Sequence, residues 1–167
     1  SVNEEELTFA DDGHRELVET IKTPMFDAEG RLIGVLGVAR NITAARQNEA
    51  ALRASEAMYR SLFDNMLNGF AYCRMLFENG RPLDFVYLSV NQAFETLTGL
   101  RDVVGRKVTE VIPGIQEADP ELFEIYGHVA TTGQPARFEV FIKALQMWFS
   151  IAVYSPQRDH FVAVFDI

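Results

Sequence analysis

The stretch at residues 83–113, LDFVYLSVNQAFETLTGLRDVVGRKVTEVIP, constrains the fold of this chain more than any other. It opens with an aromatic and β-branched run, residues 84–88, of the composition that strands favour. Asn91 is then placed to cap a helix by accepting a backbone N–H of the first turn, and Gly99 to end that helix in the left-handed conformation. The stretch therefore predicts one strand followed by short helices that cross one side of a sheet.

Strand signals flank this stretch on both sides. Before it, the runs FAYCRMLF and LDFVYLSV surround Asn79 and Gly80, and Asn-Gly is the strongest short signal for a β-hairpin. After it, Asp119 and Pro120 predict the capped start of a longer helix that stops near Gly133. Three strand-like runs finish the chain, ARFEVFIK, MWFSIAVYS and HFVAVFDI. This order predicts an α+β fold, an antiparallel sheet with helices on one face.

The first part of the chain has a different pattern. Residues 4–42 predict a three-stranded β-meander with turns at residues 11–13 and 27–30, and with the middle strand ending at Thr23 and Pro24. Three strands without a helix cannot bury a core alone. We therefore expect the apolar side chains of its last strand, such as Leu32, Val35 and Val38, to need cover from the following helix, from the complete domain or from another copy.

A helix is predicted between these two parts, because residues 43–66 contain many helix formers and no Gly or Pro. Thr43 is placed to cap it. Apolar side chains recur every seven residues, which indicates a partial coiled-coil seam, although Asn48 and Ser55 weaken it. The members of this heptad seam are Ala45, Leu52, Tyr59 and Met66.

Composition excludes several function classes. The formal net charge of -9 argues against a nucleic-acid partner, which would require clustered Lys and Arg. The longest uncharged apolar run, residues 32–39, is far shorter than the about 20 residues of a membrane span, so we expect no membrane contact. The single Cys73 excludes an internal disulfide and suits a reducing compartment. We expect a cytoplasmic fragment of a longer protein, which could itself be membrane-anchored.

Residues 91–99, NQAFETLTG, and residues 104–114, VGRKVTEVIPG, taken in this order after a strand, resemble a PAS sensory domain. The resemblance implies a five-stranded antiparallel sheet in the order 2-1-5-4-3, with short helices on one face, over residues 67–167. The end of the meander also resembles the end of the chain. Residues 1–42 are therefore interpreted as the C-terminal strands of a preceding, incomplete PAS unit, and residues 43–66 as a linker or signalling helix.

No enzyme signature is present in the sequence, and we expect no catalytic residue and no metal site. His14, His128 and His160 lie far apart and not at zinc-ligand spacing from one another or from Cys73. The longer helix lacks the Cys that the resemblance would require for covalent flavin, and His128 lies closer to the helix end than a haem ligand of such domains. The cofactor is thus left unknown, with flavin and haem not expected and a colourless protein predicted.

The resemblance implies a ligand pocket between the helices and the inner face of the sheet. Candidate ligand-binding residues are the aromatic side chains of these elements and three polar groups that could orient a ligand. They are Tyr72, Phe85, Tyr87, Asn91, Phe94, Phe123, Tyr126, Phe138, Trp148 and Ser150. The same aromatic residues would equally form a filled core, and Cys73 is expected to be a small core residue.

The resemblance implies a sensory module of a bacterial signalling protein, a sensor histidine kinase or a cyclic-dinucleotide enzyme. The module would bind a small ligand and relay the change through the linker helix, which would also hold a homodimer. The output domain would lie outside this chain. The alternative is a ligand-free unit that only dimerises and transmits the signal, and a small α+β enzyme is the third possibility.

Overall fold

The computed structural model describes residues 2–167, which form two compact units, the first ending at Tyr59 and the second beginning at Arg60. The first unit contains three strands and most of a helix, and the division falls inside that helix. These elements are β1 (Val2–Thr8), β2 (Arg15–Phe26), β3 (Leu32–Asn41) and α1 (Thr43–Asn65). No helix of the described residues combines the length and the apolar character that crossing a membrane demands.

The predicted β-meander is confirmed, since β2 pairs antiparallel with both β1 and β3. The predicted end of the middle strand at Thr23 and Pro24 is wrong, because β2 continues to Phe26 and Pro24 pairs with Val35. The described pairs between β1 and β2 reach only Ile21. Pro24 therefore lies where β2 has become an edge strand on that side, and an edge tolerates a residue without a backbone N–H.

Helix α1 follows the meander, as predicted, but Thr43 does not cap it. The Thr43 hydroxyl instead accepts the backbone N–H of Leu17 at 2.8 Å, and the Thr43 N–H donates to Asn41 Oδ1 at 2.9 Å. These bonds attach the start of α1 to β2. The helix ends at Asn65, one residue before the last member of the heptad seam, and none of its residues is buried.

The second unit contains a five-stranded antiparallel sheet in the order β5-β4-β8-β7-β6, which confirms the predicted order 2-1-5-4-3. Its strands are β4 (Gly69–Glu78), β5 (Arg81–Val90), β6 (Ala136–Ile142), β7 (Met147–Tyr154) and β8 (His160–Asp166). The hairpin between β4 and β5 turns at Asn79 and Gly80, with φ angles of 50° and 76°. Positive φ at both central residues is what a two-residue turn needs to match the strand twist.

Four helices lie between β5 and β6, as predicted for this side of the sheet. They are α2 (Gln92–Thr98), α3 (Val108–Val111), α4 (Ile115–Ala118) and α5 (Pro120–Thr132). The predicted cap of α2 is confirmed, because Asn91 accepts the Phe94 N–H, at 2.9 Å, and Gly99 ends the helix with φ 74°. The segment between α2 and α3 then runs along the outer edge of β5, where Gly105 N–H donates to the Tyr87 carbonyl at 2.7 Å.

Asp119 precedes α5, but the prediction that its side chain caps this helix is wrong. Its two carboxylate oxygens accept the backbone N–H groups of Lys143 and Ala144, each at 3.0 Å. A side chain used in this way cannot also reach the first turn of α5. Asp119 therefore joins the start of α5 to the turn between β6 and β7.

The core of the second unit lies between one face of its sheet and the helices. Alternate residues of β4 illustrate this, since Ala71, Cys73 and Met75 are buried. The prediction that Cys73 is a core residue is confirmed. The architecture is therefore α+β, with a five-stranded antiparallel sheet and short helices on one face.

Candidate functional site

A cavity of about 50 Å³ lies inside the second unit, between the inner face of the sheet and the four helices. The strands supply its floor and the helices its cover. It is lined by Ala71, Cys73, Phe85, Tyr87, Phe94, Thr98, Leu100, Val108, Ile112, Ile115, Leu122, Tyr126, Ile142, Leu145, Phe149, Ile151, Phe161, Ala163 and Phe165. One water needs about 10–15 Å³ of such space, so the volume corresponds to about three waters or a molecule of a few heavy atoms.

Aromatic rings form much of the cavity wall and contact one another. The ring of Phe85 lies 5.2 Å from that of Phe161 and 5.8 Å from that of Tyr126, both in edge-to-face arrangements. Tyr126 and Phe161 stack with centroids 4.5 Å apart. Such pairs add about 0.5–1.5 kcal/mol each beyond their buried area, so this wall is a rigid part of the core.

Three ionisable side chains of the lining are held in the neutral form. Burial raises the pKa of the Tyr87 and Tyr126 hydroxyls and of the Cys73 thiol. The neighbouring Cys73 raises the pKa of both tyrosines further, because a second negative charge in this space would be repelled. At neutral pH the two tyrosines therefore present O–H groups that can donate a hydrogen bond.

The hydroxyls of Tyr87 and Tyr126 make no hydrogen bond to any residue of the described chain. Both residues are only 5% exposed. Among residues 2–167, every polar side-chain atom that is fully enclosed has a hydrogen-bond partner. The two hydroxyls must therefore retain some open surface, and both residues line the cavity. The hydroxyl of Thr98 differs, because it donates to the Phe94 carbonyl at 2.7 Å and accepts the Leu100 N–H at 3.2 Å.

Four of the ten candidate residues line the cavity together, namely Phe85, Tyr87, Phe94 and Tyr126. Two more belong to the surrounding core. Phe123 is 2% exposed and its ring lies 5.7 Å from that of Phe85, whereas the half-buried Phe138 has its ring 6.4 Å from that of Tyr126. These two residues support the wall but do not line the cavity.

Asn91 is buried but its amide is already used by the backbone. Its oxygen accepts the N–H groups of Phe70 and Phe94, each at 2.9 Å, and its nitrogen donates to the Asn68 carbonyl at 3.0 Å. The side chain thus holds the start of α2 against the start of β4. It does not line the cavity, so the expectation that it orients a ligand there is corrected to a role in positioning α2.

The structure places Tyr72, Trp148 and Ser150 on the opposite face of the sheet, which corrects the expectation that they line an interior pocket. Side chains alternate between the two faces along a strand. Phe149 is buried, so its neighbours Trp148 and Ser150 lie on the outer face. Trp148 is 63% exposed. Tyr72 lies between the buried Ala71 and Cys73, and its hydroxyl accepts a hydrogen bond from Gln157 Nε2 at 2.9 Å.

Sequence reasoning missed the aliphatic residues, Cys73, Thr98, Phe149 and Phe165 as part of the cavity lining. Cys73 was assigned to the core only, although it occupies the inward position of β4 beside Tyr87. The alternation of Ala71, Cys73 and Met75 with outward residues was a usable signal. The contributions of Ile112 and Ile115 depend on how two four-residue helices fold back, which no periodicity predicts.

The cavity does not fit a large cofactor in this conformation. An engineered protein cavity of about 150 Å³ binds benzene, and the cavity here has a third of that volume. His128 lies on α5 but is exposed and does not line the cavity. None of the described lining residues is a histidine, and the cofactor is left unassigned.

Residues 57–130 match the family model of the PAS domain. This chain contains a PAS domain. The match begins in the last part of α1 and ends inside α5, so it covers β4, β5 and the helices that enclose the cavity. No curated protein matches the sequence.

Three solved structures illustrate the similarity of this chain to known proteins. The PAS domain of an HTR-like protein from Haloarcula marismortui is 19% identical, covers 72% of this chain and 98% of its own, and has a TM-score of 0.47. A sensory box sensor histidine kinase from Vibrio cholerae is 17% identical, with coverages of 72% and 93% and a TM-score of 0.41. The photoactive yellow protein domain of the sensor histidine kinase Ppr from Rhodospirillum centenum is 16% identical, with coverages of 65% and 92% and a TM-score of 0.44.

A possible cation site lies outside the PAS domain. Ligand atoms of Asp11, Asp12 and His14 come within 4.8 Å of one another on the exposed turn between β1 and β2. Exposed acidic groups are common without an ion. The prediction that the protein has no metal site stays a prediction.

Proposed function

We propose that this PAS domain is the sensory module of a bacterial signalling protein, and that it binds a small molecule in the interior cavity. The observation that carries the proposal is a largely apolar cavity lined by Tyr87 and Tyr126, whose hydroxyls have no hydrogen-bond partner in the described chain. An occupant that covered these hydroxyls without accepting a hydrogen bond from them would leave each buried and unpaired, at a cost of about 1–3 kcal/mol. A ligand that accepts hydrogen bonds from these groups would avoid that cost.

Helix α1 is the proposed route by which the PAS domain relays the change. It runs without interruption from Thr43 to Asn65, and 23 residues correspond to about 34 Å at 1.5 Å per residue. A continuous helix can transmit a rotation or a shift along its axis, whereas a flexible linker would lose it. The partner that receives the signal would be an output domain of the same polypeptide, in a sensor histidine kinase or a cyclic-dinucleotide enzyme.

The same helix is the proposed contact between two copies of the protein. Leu52 and Tyr59 of the heptad seam are 61% and 66% exposed, and Leu62 beside them is 64% exposed. Apolar side chains at this spacing on an exposed helix favour pairing with a second helix. A parallel homodimer would bury them.

We expect this protein in the cytoplasm, because Cys73 is a free thiol and a reducing compartment suits it.

The first unit is proposed to be the C-terminal part of a preceding PAS unit. Its last strand, β3, is exposed and apolar on both faces, as Ile33 and Leu36 illustrate. The last strand of the PAS domain, β8, is paired on both sides, whereas β3 pairs only with β2 among the described residues. A strand that is apolar on both faces is typical of a buried, central position. A separate melting transition of residues 2–42 in calorimetry would contradict this proposal.

The small cavity volume favours the second candidate function, a ligand-free PAS unit that dimerises and transmits conformational change. Native mass spectrometry of the purified protein, with Ala163→Leu as the test variant, separates the two. Ala163 lines the cavity, whereas Ala152 lies on the outer face of the sheet and provides the matched control Ala152→Leu.

For a ligand sensor, we expect an additional bound mass in the native protein and in Ala152→Leu, and its loss in Ala163→Leu. For a ligand-free unit, all three proteins would carry the bare polypeptide mass, and Ala163→Leu would melt at a higher temperature because the added methyl groups fill a void. Bare masses together with this stabilisation would overturn the sensory proposal.

A further inference from the structure

The cavity has a chemical selectivity that follows from its lining. Of its lining residues in the described chain, none is Asp, Glu, Lys, Arg or His. A carboxylate or phosphate placed there would lose its hydration without gaining a counter-charge, and an unpaired buried charge is expensive. The cavity therefore discriminates against charged molecules.

The polar groups that the cavity does offer are donors. Both Tyr87 and Tyr126 are held protonated by burial, and the proximity of Cys73 disfavours their ionisation further. A phenol hydroxyl can also accept a hydrogen bond, but it is the better donor because an oxygen lone pair is conjugated with the ring. The strongest complement to O–H groups in the lining of one small apolar space is an oxygen acceptor on an otherwise apolar molecule.

The volume limits the size of that molecule. The cavity of about 50 Å³ is a third of the 150 Å³ that holds benzene. The aromatic wall around Phe85 and Phe161 is interlocked and resists expansion. The occupant is therefore a compact molecule of a few heavy atoms rather than a ring system.

We propose that the PAS domain selects small uncharged molecules that carry one hydrogen-bond acceptor, such as a carbonyl oxygen, and that the hydroxyls of Tyr87 and Tyr126 donate hydrogen bonds to this acceptor. The inference rests on the proposed function, because it specifies the ligand class of the same cavity. It excludes carboxylates, phosphates and large ring cofactors as occupants.

The test compares three probes of matched size, acetone, acetate and xenon. Acetone and acetate have the same number of heavy atoms, so they differ chiefly in charge, and xenon reports apolar volume alone. Binding is followed by titrating the methyl signals of Ala71 and Ala163, which line the cavity, in the full chain by NMR. We expect saturable shifts with acetone and xenon, and none with acetate at equal concentration.

Tyrosine variants then test the donors. Loss of one hydrogen bond corresponds to a roughly three- to tenfold weaker affinity, so Tyr126→Phe and Tyr87→Phe should weaken acetone by that factor and leave xenon unchanged. Tyr154→Phe is the control, because Tyr154 lies on the outer face and is 45% exposed. It should change neither titration.

The outcomes separate this inference from the proposed function. Acetate binding as tightly as acetone, or acetone binding that is unaffected in both tyrosine variants, would overturn the ligand class while a ligand site remained. Failure of both acetone and xenon to shift the methyl signals would overturn the inference and, with bare native masses, the sensory proposal as well.

Discussion

The carboxylate of Asp119 accepts the backbone N–H of Lys143 at 3.0 Å, across a separation of 24 residues. Its second oxygen accepts the N–H of Ala144 at the same distance. The carboxylate is 7% exposed, so this contact is one of the few polar anchors inside the PAS domain. It fixes the start of α5, which covers the cavity, to the turn between β6 and β7.

Removal of this anchor should destabilise the PAS domain. Hydrogen bonds to a charged group contribute about 1.5–3 kcal/mol, and water can partly replace the lost acceptor at the half-exposed turn. We expect Asp119→Ala to lower the free energy of unfolding by about 2 kcal/mol, measured by urea denaturation. Asp119→Asn keeps one acceptor oxygen and should cost about half as much. Equal stability of Asp119→Ala and the parent protein would contradict this role.

Replacing Gly127 by alanine should change stability in the direction opposite to that usual for a glycine inside a helix. Replacing Gly by Ala inside a helix normally stabilises by about 1 kcal/mol. Here a Cβ at Gly127 would lie 2.7 Å from Cβ and 2.8 Å from Cγ of Pro82 on β5. We therefore expect Gly127→Ala to destabilise by about 1–3 kcal/mol, because the buried contact between α5 and β5 has no space.

A double-mutant cycle provides the control for Gly127. Pro82→Gly removes the atoms that the new methyl group would meet, so Gly127→Ala should cost less in that background than in the parent protein. Urea denaturation of the four proteins measures the coupling free energy. Additive effects would show that the contact with Pro82 does not limit this position.

The buried tyrosines make stability depend on alkaline pH. An unperturbed tyrosine has a pKa of about 10, and burial raises the pKa of Tyr87 and Tyr126 in the folded state. The unfolded chain thus releases these protons at lower pH than the folded chain does. The stability that this difference contributes is complete below pH of about 10 and is lost as the pH rises above that value.

Absorbance at the tyrosinate band tests this directly. We expect Tyr87→Phe and Tyr126→Phe to leave the absorbance change of the folded protein near pH 10 unaltered, because neither hydroxyl ionises there. After denaturation, each variant should show one tyrosinate fewer than the parent. A smaller absorbance change in either folded variant at that pH would show that the hydroxyl is accessible and ordinary.

Helix α1 yields a prediction about the oligomer. In a Cys73→Ser background, Leu52→Cys should form an intermolecular disulfide faster than Gln47→Cys, because Leu52 lies on the heptad seam and Gln47 does not. Both positions are exposed, so accessibility alone does not distinguish them. Equal crosslinking at the two positions, or a monomer at tens of micromolar protein, would remove the dimer through α1.

Local signals in the sequence predicted most of the fold because their causes are local. Asn79 and Gly80 form the expected turn, and Asn91 and Gly99 begin and end α2, since each depends only on the conformation of a few neighbouring residues. The sheet order came from the family resemblance, not from periodicity. Asp119 was misassigned because its partners lie in another turn, although its type and its place before Pro120 fit a cap.

The candidate site was harder to predict, because aromatic composition does not state which face of a strand a residue occupies. Trp148 and Phe149 are adjacent and equally apolar, yet only Phe149 faces the cavity. The alternation in β7 would have separated them. The cavity itself depends on the residual space between packed side chains, which is fixed by the helix cover and has no sequence signature.

The central claim is that the state of the cavity is relayed to α1, and amide hydrogen exchange tests it most directly. Ala163→Leu fills the cavity as an occupant would, and Ala152→Leu adds the same side chain to the outer face of the sheet. We predict that Ala163→Leu changes exchange rates along residues 43–65, whereas Ala152→Leu leaves them unchanged. Changes in Ala163→Leu that are confined to the sheet and to α2–α5, with α1 exchanging as in the parent protein, would contradict the claim.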